Sequence, residues 1–402
     1  MRKIYFCSAL VLLTLSTMAA RESSRIEPIE GYTQQTTVPL IESLTRKHTD
    51  TVTTIAPIPG TDNFFSSGKD GFVSYITSDG LQQIWQISEI PIKKLAVDSS
   101  GKRIAAYETD GFSIHRISVW DWEKRQRLYA KRFKDAVTSL SWSAKGSFLL
   151  VGNSSLEGIT ILEGNSGRYK SVFTQSPGMV TLALTGASEN SIITFGPSGN
   201  IQYTDLNNGK ERASYLAERD LSQPILLNNN LVIAGYYDGA IYTVDATSGK
   251  TIRTYEANDP ILSAQSSDRQ PNWFENTEDG IVLKVGENIP VPILAGSQKI
   301  SAAASLDTRI VFGTETGELY SIPRNNKNSE TYNPQPLASN DIQHIDDITT
   351  DGTRLFILSS GSVFITSGYG AAPVFAFSGM NANKITLVED GLLFWSSSKN
   401  SS

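Results

Sequence analysis

The residues best suited to acid–base or metal chemistry in this chain are three histidines, His48, His115 and His344, and they stand far apart. A three-histidine metal site needs all of them to converge, so their wide spacing points to separate structural roles. The densest run of metal-capable side chains is Asp341-Ile342-Gln343-His344-Ile345-Asp346-Asp347. Strand alternation places Asp341 on one face and His344 with Asp346 on the other, which divides the oxygen ligands, and no calcium-loop spacing is present. No serine lies in a Gly-x-Ser-x-Gly elbow, and no glycine-rich phosphate loop occurs. Carboxylates from different segments can still meet in a folded channel. The sequence therefore assigns no catalytic residue, no cofactor and no metal ligand, and the expectation is a protein that is not an enzyme.

One charged cluster stands out from a chain that is acidic overall, with 35 Lys and Arg against 41 Asp and Glu and a net charge of −6. Arg116, Lys124, Arg125, Arg127, Lys131, Arg132 and Lys134 fall close together, with Tyr129 and Phe133 interleaved. Such residues keep an edge strand soluble and unpaired. They also suit an acidic protein surface or anionic lipid. Lys124, Arg125, Arg127, Lys131, Arg132 and Lys134 are the candidate partner-binding residues. The overall charge carries no footprint for nucleic acid. A second candidate for recognition is the polar loop from Pro323 to Pro336, which also reads as a tolerated insertion between strands.

These residues must be positioned by a repeated element. Gly71, Gly111, Gly158, Gly199, Gly239, Gly280, Gly317 and Gly361 recur every 37 to 47 residues, nearly all opening a short segment rich in β-formers. Four follow aspartate, at Asp70, Asp110, Asp238 and Asp279, the Asp-Gly pair that tight hairpins favour. The period and the strand pattern predict an all-β fold, a β-propeller of four-stranded antiparallel blades. In the clearest repeat the expected strands are Val137 to Trp142, Phe148 to Gly152, Gly158 to Leu162 and Tyr169 to Phe173. Eight blades are expected, with seven and nine open. Gly31 with Thr36 to Leu40 at one end, and Ile385 to Val388 with Leu392 to Trp395 at the other, offer strands for a closing blade.

Met1-Arg2-Lys3, the apolar run Ile4 to Leu15 and the small residues Ser16 to Ala20 form a secretory signal pattern, with cleavage expected near Ala19 or Ala20. The run is shorter than the roughly 20 residues a bilayer span requires. The single cysteine, Cys7, lies inside it, so the mature chain has none, which suits an oxidising compartment. The expected organisation is a signal peptide over 1–20, an N-terminal segment over 21–47 able to lend strands to the closing blade, and a propeller over 48–402. The product is expected in the periplasm or outside the cell, as a monomer without a transmembrane segment.

The segment YYDGAIYTVDATSGKTIRTY from Tyr236, together with the turns Asp205 to Lys210 and Asp245 to Lys250, resembles the repeat of quinoprotein-like propellers. That family includes pyrroloquinoline quinone dehydrogenases and the propeller lipoprotein of the outer-membrane β-barrel assembly machinery. The chain has Arg253 and Ala213 where a docking tryptophan usually stands, and no cysteine pair in its mature part. Val119-Trp120-Asp121-Trp122 and Val137 to Ser143 resemble WD-repeat propellers, without the Gly-His element. Lacking a regular Asp, His, Ser and Trp network to lock them, the blades are expected to pack through apolar contacts between sheets. The resemblance implies an exported scaffold for protein–protein interaction in the bacterial envelope, with envelope proteins as partners and outer-membrane protein assembly as one setting. The alternatives are a propeller binding quinone or another small molecule, oxidoreductase-like, or one binding carbohydrate or cell wall through Trp273 or Trp395.

Overall fold

The computed structural model describes residues 27–28 and 36–37, and 48–395 apart from 79–81, 155–157, 174–177, 229–231, 264–270, 287–289, 296, 325–333, 337–344, 360–361, 367–373, 378–381 and 390. Among the described residues, nine antiparallel sheets follow one another. The first contains Val52–Pro57, Phe64–Gly68, Phe72–Ile76 and Gln82–Gln86. The second contains Ile92–Val97, Arg103–Thr109, His115–Asp121 and Gln126–Arg132, and the third Val137–Trp142, Phe148–Asn153, Ile159–Glu163 and Tyr169–Phe173. The fourth, fifth and sixth open at Leu182, Ser222 and Ile261, and the seventh contains Ile300–Ser305, Arg309–Thr314, Leu319–Pro323 and Gln335–Pro336. The eighth contains Asp347–Thr350, Leu355–Ser359, Ser362–Thr366 and Val374–Phe377, and the ninth only Lys384–Val388 and Gly391–Trp395. Seven of these sheets have four strands, the second has six and the ninth has two. Among the described residues there is no helix.

The second strand of each four-stranded sheet explains the arrangement. Neighbouring residues point to opposite faces of a strand, yet both members of the doublets Phe64-Phe65, Leu149-Leu150, Ile192-Ile193, Trp273-Phe274 and Val311-Phe312 are buried. A sheet buried on both faces must lie between two others, and each such side chain gains about 1.5–3 kcal/mol by leaving water. Glycine is required where turns meet: Gly317 has φ +88°, and a Cβ there would stand 2.0 Å from the His48 carbonyl oxygen.

Two compact units result. One holds the second, third and fourth sheets and most of the fifth, and the other holds the first and the sixth to ninth. In the former, Tyr107, Val119, Trp142, Leu149 and Val151 share a core. There Thr138 Oγ1 in the third sheet donates to the Val180 carbonyl, 2.5 Å, and Ser141 Oγ to that of Ala183, 2.6 Å, so the innermost strands are joined by hydroxyls. The N-terminal segment adds two short strands, Glu27–Pro28 and Thr36–Thr37, and both lie on Gln126–Arg132 of the second sheet.

In the other unit, Val52, Phe64 and Ile76 of the first sheet share a core with Ala302, Ala304, Val311 and Leu319 of the seventh. The same kind of hydroxyl bond joins them, from Ser301 Oγ to the Val52 carbonyl, 2.7 Å. Thr53 Oγ1 donates likewise to the Ile92 carbonyl, 2.6 Å. The eighth sheet packs on the ninth through Phe356, Leu358, Val363 and Ile385. The Ile385 N–H donates to Asp347 Oδ2 at 3.0 Å and helps hold that carboxyl below the usual carboxylate range.

Candidate functional site

Within the first sheet, three residues form the sequence of contacts a serine hydrolase would use. His48 Nδ1 lies 3.1 and 3.2 Å from the two Asp70 carboxylate oxygens, and its Nε2 lies 2.9 Å from Ser66 Oγ. With the Nδ1 proton directed at the carboxylate, Nε2 accepts from the serine hydroxyl. The chain builds this simply: His48 precedes the innermost strand, Ser66 lies on the next, and Asp70 stands in the Asp-Gly turn. Asp70 also accepts from the backbone of Thr49, 2.9 Å, and Phe72, 3.1 Å. His48 and Ser66 are fully buried, and a Cβ on Gly68 would stand 2.5 Å from Asp70 Oδ1 and 2.6 Å from His48 Nδ1. No substrate carbonyl can reach that hydroxyl, so the trio locks a turn.

The second sheet carries a buried polar network of its own. Arg116 Nε donates to Glu108 Oε2 at 2.7 Å, Ser118 Oγ donates to Glu108 Oε1, and Trp120 Nε1 donates to Ser118 Oγ at 2.8 Å. Arg127 sits over the Trp120 ring at 5.6 Å. His115 is buried with Nδ1 2.8 Å from the Tyr107 hydroxyl, a structural place. At the junction with the third sheet, Asp98 accepts from Arg103 Nε at 2.9 Å, and Arg103 spans to the Gly146 carbonyl, 2.7 Å, while covering Trp142.

The basic candidates are thereby separated. Arg127 is buried against Trp120. Lys124 and Arg125 occupy the turn before Gln126–Arg132, where Asp121 binds the Lys124 ammonium at 2.7 Å and raises its pKa. Arg132 and Lys134 are exposed at the far end, about 20 Å away along a seven-residue strand. Lys131 and Arg132 stand opposite Pro28 and Glu27, and Arg127 opposite Thr36, so the edge on which these charges sit is taken at both ends by the chain's own N-terminal strands. Trp273 is buried in the sixth sheet with Nε1 bonded to Glu275 at 2.8 Å, which removes it as a sugar-stacking surface; Trp395 is exposed. His344 and most of the loop from Pro323 to Pro336 lie outside the described residues.

Two surface features went unnoticed in the sequence. Phe112, at the tip of the second sheet's Asp-Gly turn, is 91% exposed. Asp110 Oδ1 accepts from the backbone of Phe112, Ser113 and Ile114, each 2.9 Å, so the turn is rigid. The Ile114 N–H, then that of Phe112, hold the Asp110 carboxyl far below the usual carboxylate range. Arg132 donates to the Ser113 carbonyl at 3.2 Å, which ties a guanidinium to the turn that carries the exposed ring. The Asp110-Gly111-Phe112 triplet was the available signal, since an Asx turn that leads into a large apolar residue must display it. The second feature is an open cavity of about 500 Å³ lined by Asn258, Asp259, Asn276, Thr277, Glu278, Lys299 and Glu315. Asn276 anchors its floor by accepting from Ile300 N at 2.9 Å. Among the described residues no three His, Cys, Asp or Glu side chains converge as a metal site.

Successive antiparallel four-stranded sheets buried on both faces are the build of a β-propeller, and the site residues above are its turns and tips. The chain belongs to a family described as an N-terminal β-propeller domain, which matches residues 20–332. It is also similar to an uncharacterized protein of Treponema pallidum (strain Nichols), with 32% identity over 340 residues, 84% of this chain. The match spans 55% of that relative's length. No helix among the described residues is long and apolar enough to cross a membrane.

Proposed function

We propose that this chain is an exported, non-enzymatic β-propeller of the bacterial envelope that binds protein partners through rigid turns at its sheet ends. The observation that carries this reading is Phe112, a fully displayed aromatic ring on a turn fixed by its own aspartate and flanked by Arg132. Aromatic and arginine side chains dominate binding energy when a partner buries them, and a preformed turn loses little entropy on docking. The sealed Ser66–His48–Asp70 trio supports the non-enzymatic reading. Export rests on the leader over 1–20 and the cysteine-free remainder. An outer-membrane assembly setting rests on the quinoprotein-like resemblance, and the buried His48, Ser66 and Asp70 add support to kinship with WD repeats. The hydroxyl bond from Ser301 to Val52 repeats the one from Thr138 to Val180, which supports closure between the seventh sheet and the first, a propeller of seven blades.

The test is a photocrosslinker placed at residue 112 in native cells. One discrete adduct with an envelope protein, reduced when Arg132 or Lys134 is changed to glutamate, is the expected result. Absence of any adduct at 112, with the protein folded and exported, overturns the reading. The polar cavity beside Lys299 favours a second reading, a small polar ligand held between the sixth and seventh sheets. A thermal-shift screen with quinones, sugars and divalent metals tests it, and a flat response across the set removes it.

A further inference from the structure

The ninth sheet breaks the burial rule that the others keep. Its register pairs Ile385 with Phe394, Thr386 with Leu393, Leu387 with Leu392 and Lys384 with Trp395. One face, with Ile385, Leu392 and Phe394, packs on the eighth sheet's Phe356, Leu358 and Val363. The other face carries Lys384, Thr386, Val388, Leu393 and Trp395, and there Val388 is 45%, Leu393 53% and Trp395 43% exposed. Leu392-Leu393 occupies the second-strand position where Phe64-Phe65 and Leu149-Leu150 are buried on both sides. An apolar doublet of this kind is spent only where a sheet lies on each face.

The first sheet does not fill that place, because the seventh covers it: Val52 and Ile55 pack with Ala302, Ala304 and Val311. Thr308 N also donates to Asp62 Oδ1 at 3.0 Å, and Arg309 to the Asp62 and Thr77 carbonyls. The family matched by this chain ends its match at residue 332, before the eighth sheet begins, and is described as an N-terminal domain. The treponemal relative is nearly twice as long as the matched segment.

We infer that the exposed face of Lys384–Val388 and Gly391–Trp395 docks a further apolar β-sheet of the same polypeptide, the eighth and ninth sheets being the opening blades of a second propeller. The docked sheet supplies the branched and aromatic side chains that Leu393 and Trp395 lack on that side.

The experiment uses the fact that Cys7 is the only cysteine of these 402 residues, and any cysteine beyond them is replaced by serine in the complete polypeptide. In a Cys7→Ser background, Leu393→Cys is placed both in the 402-residue chain and in the complete polypeptide made from the native reading frame, and thiol labelling is timed under native conditions. Labelling slower by about 100-fold or more in the complete polypeptide, and fast at every concentration of the 402-residue chain, is the expected result. Equal rates in the two, or a native reading frame that stops at residue 402, overturn the inference. So does labelling of the 402-residue chain that slows as its concentration rises, because the cover is then a second copy. Val73→Cys, fully buried in the first sheet, serves as a slow-labelling control for folding in both.

Discussion

Asp70→Ala separates a structural trio from a catalytic one. The carboxylate accepts from His48 Nδ1 and from the backbone N–H groups of Thr49 and Phe72, and only 5% of its side chain is exposed. The Thr49 N–H lies near solvent and rehydrates, but the imidazole and the Phe72 N–H lose their acceptor. Each buried donor left unpaired costs about 1–3 kcal/mol, so the substitution is expected to destabilise by about 2–6 kcal/mol. Ser66→Ala removes a single neutral bond and is expected to cost about 1 kcal/mol. On a His48→Leu background Asp70→Ala is expected to cost less, with a coupling of about 1–2 kcal/mol. Urea titration at pH 7, followed by tryptophan fluorescence, measures the parent and the four variants, and the same samples are treated with a fluorophosphonate serine probe. No labelling of Ser66 is expected in folded protein. Labelling there, or an Asp70→Ala protein within about 0.5 kcal/mol of its parent, refutes the reasoning.

Asp98→Ala is expected to cost about 3–5 kcal/mol in the same titration, because it leaves the Arg103 guanidinium partly buried without its carboxylate, whereas Asp98→Ala with Arg103→Met is expected to recover part of the loss. Gly317→Ala forces a left-handed backbone on a side chain that collides with the His48 carbonyl, so its melting temperature should fall by more than that of Gly352→Ala, where φ is also positive but the space is open. Asp110 titrates with a depressed pKa in the folded turn, so its contribution is present above the unfolded carboxylate pKa of about 4 and is lost as pH falls through the lower folded value. Amide exchange at Phe112 to Ile114, compared with an Asp110→Asn protein, reads that loss.

The strands of the third sheet were legible almost to the residue, with Val137–Trp142 and Tyr169–Phe173 matching the expectation in full. Their turns are marked by Gly, Asn and Ser, and backbone conformation at such positions is a local matter. The number and closure of the sheets were not legible, because Val52 meeting Ala302 depends on faces, and periodicity carries no partner for a face. The His48 trio escaped for the same reason: its members are spread over 22 residues in the chain and share no motif once the Gly-His element is absent. A clearer signal lay in Val52-Thr53, Val137-Thr138 and Ile300-Ser301, a β-branched residue followed by a hydroxyl at the start of an innermost strand. The basic cluster was visible as composition, yet its division between a buried Arg127 and two separated ends came only from the strand that carries it.

The hydroxyl of Ser301 reaches the Val52 carbonyl across 249 residues of chain. That seam sets a clock on folding. Local hairpins such as Asp70-Gly71 can form as soon as they are free, but the first sheet keeps one apolar face bare until the seventh has been synthesised and delivered beside it. Contacts of such sequence separation slow the final step, since the entropy of a long loop is lost before they repay it. During that interval the exposed Val52, Ile55 and Phe64 side invites pairing with other chains. Once closed, the seam makes the two distant segments depend on each other, and a lesion at either one opens both.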